Sequence, residues 1–196
     1  MKWFHIWAQI SQKIKKHSDF DKKDGKSSQK LFTNSGKKGI INNSMKRALI
    51  TGSFDPITLG HIDIISRALK MFGHVYVGVG INVSKSYLLS NDERCRLIAE
   101  NFEGENVTVF SYDGLTADIA REYEIDFIIR GIRNVNEYEV ERQMAEANYK
   151  LSGIETLFLP TKPELSYLSS GMVKEIYTFS KDISKFVPKN VAQKLK

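Results

Sequence analysis

The chain has 196 residues, room for one domain of about 150 residues and an appendage. Its hydrophobic content of 41% suits a soluble globular protein, and no apolar run approaches the roughly 20 residues of a membrane span. A single cysteine, Cys95, excludes an internal disulfide or a cysteine-built metal site and fits a reducing compartment.

Charge divides the chain. Residues 1–44 hold ten Lys and three Asp, a net +7, whereas residues 45–196 carry −1. The overall +6 therefore belongs to the leader, and the near-neutral body offers no basic surface that calls for nucleic acid. Residues 1–44 are expected to be a basic, disordered leader, with Met45 as an alternative start of translation. Two other readings compete. Trp3, Phe4, Trp7, Ile10 and Ile14 could share the apolar face of a short interfacial helix. An organelle-targeting leader is disfavoured by the absence of Arg and the three Asp.

From Met45 the pattern alternates strand and helix. Strands are predicted at 47–51, 74–81, 107–111, 126–130 and 155–159. Helices are predicted at 60–72, 91–102, 115–123, 137–151 and 169–179, with a short one after Pro188. Repeated βα units with continuous apolar strands predict a parallel α/β sheet covered by helices on both faces, with ligands at the carboxyl ends of the strands.

The first such end carries Gly52-Ser53-Phe54-Asp55-Pro56-Ile57-Thr58-Leu59-Gly60-His61. A strand that feeds a helix through this turn aims backbone N–H groups and a helix dipole at one spot, where an anion belongs. His61 falls in the first helical turn and can reach the same anion. After the second strand comes Lys85, and Asp92-Glu93-Arg94 then opens a helix with acids in its first turn, an arrangement that needs no functional explanation. Thr116 follows the third strand. The fourth leads into Arg130-Gly131-Ile132-Arg133, two planar forks suited to phosphate oxygens about a glycine that lets backbone approach a ligand. On the next helix, Glu139, Arg142, Glu146 and Lys150 form an exposed stripe, while Glu141 shares the face of Met144, Ala145 and Asn148 and needs a partner: a phosphate-binding arginine, a ligand hydroxyl, or a plain buried ion pair. Ser169 or Ser170 opens the last long helix as an N-cap that could also serve an anion.

The Gly52–His61 string matches the signature of the nucleotidyltransferase superfamily. Together with Ser84-Lys85, Ile129-Arg130-Gly131-Ile132-Arg133, Ser169-Ser170 and Val173-Lys174, residues 45–194 resemble the bacterial phosphopantetheine adenylyltransferase family. The resemblance implies a Rossmann-like, nucleotidyltransferase-type fold. It implies transfer of AMP from ATP to 4′-phosphopantetheine, giving dephospho-coenzyme A and pyrophosphate, with Mg²⁺ as cofactor, in a cytoplasmic homohexamer. By position, Ser53 would contact the acceptor phosphate and, with Phe54, ATP; Lys85, Thr116 and Arg130 would line the acceptor site. His61, Gly131, Ile132, Arg133, Glu141, Leu165, Ser166, Tyr167, Leu168, Ser169, Ser170 and Gly171 would surround ATP, His61 acting as transition-state stabiliser.

Four positions depart from the family pattern. Ser53 stands where Thr is usual, Thr116 where a larger apolar residue is, Leu165 where an aromatic is common, and Gly171 where a third hydroxyl is. No residue of this chain is assigned as a metal ligand. The alternatives are another small nucleotidyltransferase, acting on nicotinate mononucleotide or an alcohol phosphate, and a non-catalytic nucleotide-binding regulator. No membrane contact is expected of residues 45–196.

Overall fold

The computed structural model describes residues 31–32, 46–82 and 84–196. The expectations for the leader and for Met45 lie outside those residues, apart from Leu31 and Phe32. Those two residues form strand β1, inside the stretch expected to be disordered. They pair antiparallel with Phe110 and Val109, a small addition to an edge that would otherwise expose unpaired backbone groups.

Five parallel strands follow: β2 (Arg47–Gly52), β3 (His74–Gly80), β4 (Val107–Tyr112), β5 (Phe127–Ile132) and β6 (Glu155–Pro160). The helices between and after them are α1 (Leu59–Leu69), α2 (Asn91–Glu100), α3 (Thr116–Glu122), α4 (Val135–Ser152), α5 (Ser170–Thr178) and α6 (Lys189–Lys194), with a 3₁₀ turn at Pro163–Leu165. Apart from β1 and the 3₁₀ turn, which were not predicted, this is the predicted α/β order.

Strand order is β1-β4-β3-β2-β5-β6. The chain builds outward from β2 through β3 to β4, then crosses back to lay β5 and β6 on the other side. The switch point therefore lies between the carboxyl ends of β2 and β5, where an open crevice forms.

Alternation along the strands decides both faces. Ala48, Ile50, Val75, Val77, Val79, Val109 and Ile129 face a core completed by Ile64, Ile65 and Ala68 of α1, Cys95, Leu97 and Ile98 of α2, Val173 of α5 and Val191 of α6. Leu49, Phe110 and Ile128, each one residue out of phase with that set, face a second core with Ile119 and Ala120 of α3. Cys95 is buried in the first core, and its burial pushes the thiol up to about 12, so it packs rather than reacts.

Helix α4 differs. None of its residues is buried, and Val135 (81% exposed), Tyr138, Met144, Tyr149 and Leu151 are all exposed, as is Leu157 of the edge strand β6. Among the described residues no helix is long and apolar enough to cross a membrane.

Candidate active site

The strand β2 ends at Gly52, and the chain turns through Ser53 to Thr58 before α1 begins. A Cβ on Gly52 would meet the Phe54 ring at 3.1 Å, so glycine makes room for that ring. Phe54 itself takes φ 47, the left-handed region, which costs a non-glycine residue on the order of 1–2 kcal/mol. The loop is held in that shape by buried groups. Asp55, 1% exposed, accepts the Leu88 N–H at 2.9 Å and the Leu89 N–H at 3.0 Å, and its carboxylate lies 3.2 Å from Lys174 Nζ on α5.

Thr58 is the N-cap of α1, and His61 is the third helical residue. The cap is reciprocal: the His61 N–H donates to Thr58 Oγ1, and the Thr58 N–H donates to His61 Nδ1 at 3.1 Å. A backbone N–H cannot accept, so Nδ1 presents its lone pair and the ring proton sits on Nε2. The Phe54 ring meets the imidazole edge-on at 5.1 Å. Burial, reinforced by the Arg133 charge and opposed by Glu137, pushes the imidazole down to about 4. His61 therefore acts at neutral pH as an uncharged Nε2–H donor. In the ligand-free protein its NMR titration midpoint is expected near 4, and one near 6.5 would overturn this. The sign for stability follows. Above about pH 6.5 both folded and unfolded chains are neutral here. As the pH falls toward 4 only the unfolded chain gains the proton, so this residue's contribution to stability is lost.

Across the crevice, Arg130 at the end of β5 is clamped before any ligand arrives. Its Nε and Nη2 donate to Glu141 at 2.6 and 2.9 Å, and Nη1 donates to the Thr51 carbonyl at 2.6 Å and to Thr51 Oγ1 at 3.0 Å. Glu141 thus has the Arg130 guanidinium as its partner. Arg133 pairs with Glu137 through Nη2 at 2.6 Å, and its Nη1 donates to the Leu168 carbonyl at 2.9 Å, tying the 165–171 loop to β5. Burial works against the charge of Glu137, but the Arg133 side chain and N–H and the nearby Arg130 outweigh it and hold the carboxyl below its usual range. The room a Cβ would need at Gly131 is taken by Ile64 Cγ1 of α1, at 3.0 Å. This glycine therefore serves helix–sheet contact as well as backbone approach.

Ser169 caps α5 by accepting the Met172 N–H at 3.0 Å, and Ser170 Oγ donates to the Pro56 carbonyl at 2.8 Å. The amino ends of α1 and α5 thereby flank one cleft of about 340 Å³. Of the predicted residues, Phe54, His61, Arg130, Gly131, Arg133, Glu141, Leu168, Ser169, Ser170 and Gly171 line it. A second cleft, about 170 Å³, is lined by Tyr112, Thr116, Met144, Ala145, Asn148 and Thr156, and shares Thr51, Gly52, Arg130 and Glu141 with the first. Arg130 stands between the two.

The remaining predicted residues line neither cleft. Ser53 lies in the loop itself, and Ile132 ends β5. Lys85 is exposed, its N–H donating to the Asn82 carbonyl. Leu165 ends the 3₁₀ turn, Ser166 Oγ donates to the Pro163 carbonyl, and Tyr167 is 57% exposed against Phe186. Thr51 and Glu137, which the sequence did not single out, also build the site, and Thr58, part of the loop string, adds the cap that fixes Nδ1. Only Glu137 left a signal, its spacing of four from Arg133 on a helix start.

Together the two clefts present one neutral imidazole donor, two helix amino ends and parts of two guanidinium forks. Among the described residues no group of three or more His, Cys, Asp or Glu is placed to hold a metal ion.

Residues 49–176 match the family model described as cytidylyltransferase-like. A phosphopantetheine adenylyltransferase of Thermobifida fusca is 44% identical over 153 residues, which cover 78% of this chain and 93% of that protein. Another from Streptomyces coelicolor is 47% identical over 152 residues, 77% of this chain and 96% of that one. One from Flavobacterium psychrophilum is 42% identical over 151 residues, 76% of this chain and all of its own length (100%). Among solved structures, a putative nicotinate-nucleotide adenylyltransferase from Vibrio parahaemolyticus superposes with a TM-score of 0.55 at 19% identity, covering 76% of this chain and 90% of that one, a likeness of fold alone.

Proposed function

The chain belongs to the phosphopantetheine adenylyltransferase family, and from that premise we propose how its two clefts carry out the family's reaction. ATP lies in the larger cleft, and the pantetheine arm of the acceptor lies in the smaller. The two meet at Arg130, and that shared guanidinium is the observation that carries the reading.

An oxygen of the acceptor phosphate attacks the α-phosphorus of ATP. The new P–O bond forms as the bond to the bridging oxygen breaks, and pyrophosphate departs with the electron pair. The phosphate is already an anion at neutral pH, so no general base is required. What the protein must do is bring two anions together and hold charge in place. Arg130, Arg133 and Lys85 offset the repulsion. The Nε2–H of His61 and the amino ends of α1 and α5 stabilise the crowded phosphorus. Ser53, in the loop that follows Gly52, is proposed to offer its hydroxyl to a phosphate, a role that rests on the family resemblance. For Ile132, Leu165, Ser166 and Tyr167, which line neither cleft, the proposed ATP contacts rest on the family resemblance alone.

Mg²⁺ is proposed as the cofactor, brought in on the ATP phosphates, where it would draw charge from the leaving pyrophosphate. The carboxylates nearest the clefts, Glu137 and Glu141, are committed to Arg133 and Arg130, so no residue of the chain is assigned to the ion. The exposed apolar residues of α4 and the edge position of β6 support self-association, which we propose is a homohexamer; sedimentation velocity would read it as a sixfold mass. A cytoplasmic location is proposed as the natural place for such an enzyme.

Purified protein with ATP and 4′-phosphopantetheine should release pyrophosphate and form dephospho-coenzyme A, read by mass. Turnover with nicotinate mononucleotide instead, or ATP binding with no pyrophosphate from any acceptor, would overturn the assignment.

A further inference from the structure

We propose that Arg94 is a positioning residue of the phosphate site, holding Ser53 and, through Tyr87, the segment that carries Lys85 at a fixed separation. The inference deepens the reaction assigned above and rests on it.

Arg94 lies in the first turns of α2 and is 1% exposed. Its Nη1 donates to the Ser53 carbonyl at 2.6 Å and to the Gly80 carbonyl at 3.4 Å, and its Nη2 donates to Asn91 Oδ1. The guanidinium sits 4.0 Å over the Tyr87 ring. The Tyr87 hydroxyl accepts the Asn82 N–H at 2.8 Å, and the Asn82 carbonyl accepts the Lys85 N–H at 3.0 Å. One side chain thus ties together the end of β3, the Ser53 loop and the base of the lysine segment.

A packing role does not require this residue. Met or Leu would fill the volume without taking a charge out of water. Arg94 Nε is buried with no hydrogen-bond partner, which lowers stability further. Such a residue is a poor choice for stability alone. It is a good choice for function, because an arginine fork cannot be deprotonated and fixes several carbonyls at once. Its charge also stands permanently behind the Ser53 loop, in surroundings that screen it less than water does, where two anionic substrates must coexist.

The test uses the full chain with R94M, R94K and Y87F, measuring turnover per folded molecule, separate Michaelis constants and the thermal midpoint. R94M, neutral and of similar bulk, should lower kcat/KM for phosphopantetheine by about 10–100-fold, the scale of a lost positioning or electrostatic contact. R94K should recover part of that loss by restoring the charge. Y87F keeps the ring and removes only the anchor for Asn82, so it should raise the KM for phosphopantetheine and leave the KM for ATP unchanged. Wild-type kinetics per folded R94M molecule, or R94K no better than R94M with Y87F silent, would overturn the proposal. Should R94M fail to fold, an unchanged acceptor KM in Y87F overturns it alone. A wild-type protein that releases no pyrophosphate refutes the reaction itself, a separate result.

Discussion

His61→Ala is expected to lower turnover by roughly 10²–10³, the usual effect of removing one donor aimed at transition-state charge. The tautomer is the reason. Thr58 holds Nδ1, so the proton faces outward on Nε2, and burial keeps the ring neutral; its strength as a donor does not depend on a charge that ATP would already feel in the ground state. Michaelis constants should therefore change much less than turnover. The substitution also removes half of the α1 cap, leaving the Thr58 N–H without its acceptor. That costs about 0.5–2 kcal/mol by analogy with other cap deletions, so a lower thermal midpoint accompanies the kinetic loss. Calorimetric ATP affinity and steady-state turnover on one folded sample separate the two effects. Near-normal turnover, or a loss traced wholly to failed ATP binding, would end the transition-state role.

Arg130→Ala should weaken phosphopantetheine by about 10–100-fold, corresponding to loss of a charge-assisted phosphate contact of roughly 1.5–3 kcal/mol. ATP should be affected less. The structure adds a consequence, since Arg130 is also the partner of Glu141 and the clamp on the Thr51 carbonyl. Removing it alone leaves a carboxylate facing both clefts, so R130A should also lower the thermal midpoint. Adding Glu141→Ala should restore much of that midpoint without restoring acceptor affinity. Lys85→Ala is the contrast: an exposed side chain whose loss should weaken the acceptor and leave the fold alone. Pantetheine without its phosphate should bind wild type and K85A alike. Equal penalties for pantetheine and its phosphate would show that neither residue grips that phosphate.

Much of the architecture could be read ahead because strands and helices announce themselves locally. Leu49–Ile50 and Ile128–Ile129 are apolar at both positions, which is what burial on both faces demands, and the two cores take alternate residues of them; in Val75–Val79 the valines enter the first core while Tyr76 packs against the second. The Gly52–His61 loop was legible for a related reason: its glycines, proline and capping threonine act on their own neighbours. What could not be read is whatever depends on groups far apart in sequence. Arg94 looked like an ordinary helix-start arginine beside two acids, yet the path of the chain places it under Ser53, forty-one residues earlier. The partners of Asp55 lie thirty-three, thirty-four and one hundred and nineteen residues away.

By itself, then, the sequence determined the α/β order, the near-neutral body, the glycine-bearing turn from β2 into α1 and the family. Each of these follows from periodicity, local backbone chemistry or a contiguous string. Only the tertiary structure decided that Arg130 is shared by two clefts, that His61 is neutral with its proton on Nε2, and that Asp55 and Arg94 secure the loop from below. Those outcomes depend on which side chains a parallel sheet brings to one edge, and on how burial there changes the cost of charge.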